Sequence, residues 1–123
     1  MRRRRCAAAL LAAGIAAVGI VPAASGALKP VHKTTKVGDY FLSPKRLTVA
    51  KGSTMRWKWL STNGDAHDVK LKRAPKGVKK FHSAIATTDY SYPRKAYRFR
   101  VRGRYVVICT LHPSMMRQVI TVK

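Results

Sequence analysis

The sequence predicts an all-β domain, a sandwich or barrel of short strands, on three observations. Apolar residues recur at every second position in several short segments. Turn-forming residues stand between them, with Ser43-Pro44, Lys51-Gly52, Asn63-Gly64 and Gly103 at the joints; proline presets φ there, and glycine or asparagine tolerates positive values. No stretch beyond residue 28 carries the 3.6-residue period of an amphipathic helix.

Along the chain, Arg2 to Arg5 come first, and no charged residue appears from Cys6 to Leu28, where Ala23-Ala24-Ser25-Gly26-Ala27 closes the stretch. A basic start, an apolar middle and a small-residue end predict an export signal over residues 1–27, cut near Ala24 to Ala27. The protein is then placed in the periplasm or at the exterior of the cell envelope. A retained N-terminal membrane anchor is the alternative, although the Ala- and Gly-rich middle is weakly apolar for a span. Residues 28–36 carry Lys29, Pro30, His32, Lys33 and Lys36 among few apolar side chains, which predicts a flexible basic lead-in with little structure.

Residues 37–123 make the domain itself. Strands are expected at Leu47 and Val49, at Met55, Trp57 and Trp59 between Arg56 and Lys58, and at Val69 and Leu71 beside Lys70 and Lys72. Three more follow: Tyr97, Phe99 and Val101 against Arg98, Arg100 and Arg102; then Tyr105-Val106-Val107-Ile108; then Val119-Ile120-Thr121-Val122. Trp57, Trp59, Phe99 and Tyr105 are core candidates. The interval from Arg73 to Pro93, with Pro75, Gly77, Lys79 and Lys80, breaks the rhythm and predicts a functional or mobile loop.

A chain of 123 residues holds one domain and no multidomain enzyme. Its 26 Lys+Arg face 4 Asp+Glu, for a net charge of +22, and losing Arg2 to Arg5 with the signal still leaves +18 on the remainder. Such a field attracts acidic partners and weakens with salt. The expected partner is an acidic redox protein, with anionic polymers or lipids of the envelope as a further possibility. Nucleic acid is a poor partner for an exported chain whose aromatic residues follow strand alternation. Cys6 departs with the signal, so Cys109 is a solitary thiol in an oxidising compartment, a liability unless a metal occupies it.

The informative run is Cys109-Thr110-Leu111-His112-Pro113-Ser114-Met115, at the end of a buried strand. Cys, His and Met at steps of three gather around one ion if the loop turns back on itself, and His67 stands where a loop enters an upstream strand. Two imidazoles, a thiolate and a weak thioether suit copper in electron transfer. Zinc is the rival metal. Hydrolysis is disfavoured because the chain has no Glu and its acids are Asp39, Asp65, Asp68 and Asp89 alone, leaving a general base poorly provided. A Cys109/His112 nucleophilic pair lacks a group to orient the imidazole. His32 and His82, among lysines or polar residues, are expected to be solvated. Pro113 stiffens the loop and biases His112 toward extended geometry.

Residues 37–123 resemble the cupredoxin family in its plastocyanin and amicyanin branch. The Cys109-to-Met115 loop is similar to the short amicyanin-type ligand loop; further matches are Asp39-Tyr40-Phe41-Leu42-Ser43-Pro44 before Leu47-Thr48-Val49, the Lys51-Gly52 turn before Trp57, and Gly103-Arg104-Tyr105 before the cysteine. The resemblance implies a Greek-key β-sandwich with one type 1 copper, held by His67, Cys109 and His112, with Met115 as the weak axial ligand. Asp68 departs from the Asn often found after the upstream histidine, and Arg117 stands where a Gly commonly follows. Met116, beside Met115, is the second candidate thioether; the step of three from His112 favours Met115.

The function expected is single-electron transport by a monomeric, non-enzymatic carrier. Copper storage or delivery, and binding of anionic polymers by a basic module, are the alternatives.

Overall fold

Alternating sequence becomes strand where one set of side chains can be buried, and the computed structural model shows eight such strands. It describes residues 26–123 together with Gly14, Ala16 and Gly19, so the expected export segment 1–27 lies almost wholly outside the described residues. The strands are β1 (His32–Gly38), β2 (Phe41–Ser43), β3 (Arg46–Val49), β4 (Thr54–Trp59), β5 (Lys70–Arg73), β6 (Ser91–Arg98), β7 (Gly103–Ile108) and β8 (Arg117–Val122). Among the described residues no helix is long and apolar enough to cross a membrane.

The strands form two four-stranded sheets, in the orders β2-β1-β4-β6 and β3-β8-β7-β5. The chain passes repeatedly from one sheet to the other, and the parallel pairs β1/β4 and β3/β8 result, as in a Greek-key sandwich. Trp57, Met55 and Trp59 from β4 meet Leu71, Tyr105, Val107 and Ile120 from the opposite sheet in one core. Burial of each large apolar side chain contributes ~1.5–3 kcal/mol. A buried polar tie crosses the core: Trp57 Nε1 donates to Gln118 Oε1 at 2.9 Å, and Gln118 Nε2 donates to Thr35 Oγ1 and to the Pro44 carbonyl, both at 2.8 Å.

One expectation needs correction and one boundary moves. The lead-in is strand from His32 onward, because Thr35 and Val37 are buried while the backbone pairs with β4 on one side and β2 on the other. Its lysines concealed this, since they point outward or lie at the strand start. The interval after Arg73 is irregular but packed: Phe81 lies against Trp57, Tyr92 and Tyr97, and Pro93 falls within β6. Leu71 N–H donates to the Phe81 carbonyl at 2.9 Å, and Ser83 N–H to that of Val69 at 2.9 Å, which stitch the segment to the edge of β5.

The turn that enters β2 leaves no room for a side chain at its first step. Gly38 faces Phe41 across the β1–β2 pair, and a Cβ on Gly38 would come within 2.1 Å of the Phe41 ring. A side chain there would displace the turn bearing Asp39 and Tyr40.

Candidate metal centre

At one end of the sandwich the residues after β7 turn back into β8. Met116 N–H donates to the His112 carbonyl at 2.9 Å and Cys109 N–H to the Met116 carbonyl at 3.0 Å, closing a compact loop. Cys109 is fully buried at its base, and His112 is mostly buried within it. His67 arrives from the neighbouring loop, held by reciprocal backbone hydrogen bonds with Ala86 at 2.9 and 3.0 Å and by Trp59 Nε1, which donates to its carbonyl.

These three side chains converge. Cys109 Sγ lies 4.0 Å from His67 Nδ1 and 3.8 Å from His112 Nδ1, and the donor atoms all lie within 4.8 Å of one another. Bonds of about 2.0–2.3 Å from one ion to nitrogen and sulfur span separations of this size, so the donor set fits a soft or borderline metal such as copper.

Both imidazoles turn their other nitrogen toward a carboxylate. His67 Nε2 lies 2.8 Å from Asp39 Oδ1, and His112 Nε2 lies 3.3 Å from Asp65 Oδ2. A carboxylate only accepts, so each Nε2 carries the proton and each Nδ1 presents its lone pair toward the sulfur. Asp39 also accepts from Gly64 N–H at 2.8 Å and Asp65 N–H at 3.2 Å. The Gly64 hydrogen bond, with that from His67, holds its carboxyl below the ordinary range. The Asp65 carboxyl is likewise lowered, chiefly by Ala66 N–H. Tyr40, at the uncommon φ of 67°, donates its hydroxyl to Asp65 at 3.2 Å and sets its ring edge-on to His112, with centroids 5.0 Å apart.

Asp68 braces the loop. It is buried and accepts from Thr110 N–H, from the Thr110 hydroxyl and from His82 Nε2 at 2.7 Å. Burial pushes its carboxyl up, yet the His82 and Thr110 hydrogen bonds outweigh this and the net shift is downward. The Asp at this position thus ties the ligand loop to the segment that follows His67. Burial raises the Cys109 thiol above its usual value.

The methionines divide. Met115 is 53% exposed, whereas Met116 is fully buried and shares the core with Cys109. The register Ile108↔Arg117 continues to Cys109 opposite Met116, which puts those two side chains on the same face. His32 is exposed. His82 is half-exposed but engaged with Asp68.

The family model described as copper binding proteins, plastocyanin/azurin family, matches residues 30–123. The chain belongs to that family. As a cupredoxin it is similar in structure to amicyanin from Paracoccus versutus, with TM-score 0.58 and 26% identity over 73% of this chain and 79% of that one. A reduced amicyanin variant gives TM-score 0.60 and 22% identity over 83% and 87%. A copper-containing nitrite reductase from Thermus scotoductus gives TM-score 0.62 and 23% identity over 78% of this chain; the chain spans only 23% of that enzyme. Among curated proteins nothing matches. The cupredoxin is thus a copper-binding β-sandwich.

The reading from sequence missed the partners of the imidazoles. Asp39 and Asp65 were legible as two of only four acids in a basic chain, both in turn-rich segments. Their pairing with His67 and His112 depends on the β1–β2 turn packing against the loop before β5, which no local pattern encodes.

Proposed function

We propose that this protein is an exported, monomeric carrier of single electrons, with one type 1 copper held by the Cys109 thiolate and by Nδ1 of His67 and His112. The convergence of these three donors is the observation that carries the reading. When bound, copper supplies a one-electron couple. The chain's own residues hold the site constant: Asp39 and Asp65 orient the imidazoles, Asp68 ties Thr110, and Pro113 limits the loop. For the axial thioether, sequence spacing favours Met115 and burial favours Met116; we assign Met116, because its side chain faces the same core as the cysteine.

An acidic redox partner is supported by the net positive charge, and exposed Tyr40, Leu111 and Met115 flank the histidine edge through which contact would occur. The test is visible absorption after adding one equivalent of cupric ion. A strong thiolate-to-copper band that bleaches reversibly with ascorbate is expected; a colourless protein overturns the carrier reading. Rapid loss of copper to a weak chelator would favour delivery instead.

A further inference from the structure

The outer face of the second sheet carries a feature that neither copper nor the core uses. Registers place Val106, Val119 and Ile108 side by side there, and they form a small cluster apart from the main core. All eight strands of the described residues belong to the two sheets, so none forms a third layer over it. It is ringed instead by cations: Arg46 opposite Val119, Arg73 opposite Val106, Lys70 and Arg117 opposite Ile108, and Arg104 two residues before Val106 on the same face. The aliphatic stems of such side chains cover apolar surface while their charged heads stay in solvent. Arg73, Arg104 and Arg117 border a small cleft of ≈ 130 Å³ over Val106.

Three observations set this face apart from ordinary solubilising charge. Four of its five cations are arginines, although Lys outnumbers Arg in residues 28–123, and the guanidinium fork matches phosphate oxygens where an ammonium does not. On the other sheet, two of the three strand arginines are engaged: Arg56 donates to the Arg94 carbonyl and Arg98 to that of Gly52. The side chains of Arg46, Arg73, Arg104 and Arg117 make no hydrogen bond or ion pair with the described residues. Finally, no carboxylate neutralises the face, because Asp39, Asp65 and Asp68 gather at the metal end and Asp89 precedes β6.

We propose that this face docks on anionic phospholipid surface, the arginines holding headgroup phosphates. Neighbouring strands are about 4.8 Å apart, so the cations lie within about a Debye length of one another and repel. A sheet of phosphates relieves that repulsion, and a sheet face presents all five cations to one side. Lying on this face leaves the loops around His112 at the molecule's end, free for a redox partner. Charge layout alone supports this docking, whether or not copper binds.

The test is co-sedimentation of the full chain with vesicles of phosphatidylcholine alone or with about 30% phosphatidylglycerol. The neutral vesicles supply the baseline for any contribution of the apolar N-terminal stretch. The anionic excess should fall roughly a hundredfold in Arg73→Gln/Arg104→Gln/Arg117→Gln. It should change less than about threefold in Lys36→Gln/Lys58→Gln/Lys95→Gln, which removes equal charge from the other sheet. Equal losses in the two variants overturn the proposal in favour of net charge, and equal binding to both vesicles overturns it outright. Binding to polyglutamate without binding to anionic vesicles would assign the face to an acidic protein. Should the triple variant fail to fold by circular dichroism, single Arg73→Gln and Arg104→Gln must each weaken anionic binding several-fold.

Discussion

Cys109 is buried, which raises its thiol, and a bound metal ion would hold its sulfur as the thiolate. Cys109→Ser should therefore abolish the thiolate-to-copper band, which absorption spectroscopy reads directly. The two methionines give a sharper test. Met116→Leu should leave a coloured protein with a shifted reduction potential, while Met115→Leu, at an exposed position, should leave the potential where it was. The opposite pattern in voltammetry would return the axial role to Met115. The carboxylates act on the same site from one bond further out. Asp39→Asn removes negative charge beside a histidine that favours the cupric form, so its potential should rise relative to the parent.

The elements that set these residues in place have different stabilities to lose. The ligand loop hangs on Asp68, which satisfies Thr110 N–H from a buried position. Asp68→Ala leaves that donor without its partner at about 1–3 kcal/mol, and should lower the melting temperature of the metal-free protein while broadening the copper spectrum. At the other side of β8, Gln118 links Trp57 to Thr35 and so joins the sheets. Gln118→Ala leaves the indole N–H unsatisfied, and calorimetry should show a destabilisation of about 2 kcal/mol or more with no change in the colour of the copper form. Gly38 sits between these roles: alanine there would collide with Phe41 and shift Asp39 and Tyr40 together.

For the whole molecule the governing quantity is the uneven charge. Three of four acids stand at the metal end, and the basic residues cover both sheets. Encounter with an acidic redox protein should consequently slow by about tenfold or more between low and high salt in stopped-flow mixing, because the steering field is screened. Salt-independent association would discount the charge as a recognition device. Lipid docking through the second sheet and redox contact through the loop end involve different surfaces, so the arginine and lysine triple variants separate the two.

Period-two alternation was enough to find most strands, because side chains that leave water must fall on one face of a pleated backbone. Spacing was enough to find Cys109 and His112, which are three residues apart in one short loop. His67 was legible only as a histidine at a strand entry, and its distance to the thiol is a product of two loops meeting. The sequence by itself determined the all-β class, the soft donor set and the sign of the surface charge, since each depends on residue identity and local period. Tertiary structure decided the rest. β1 hid under lysines because pairing with two neighbours outweighs a polar composition; Met116 rather than Met115 is the buried methionine because strand register sets which side chain enters the core. Asp39 and Asp65 found their imidazoles because turns distant along the chain pack together, and that closeness is a property of the fold alone.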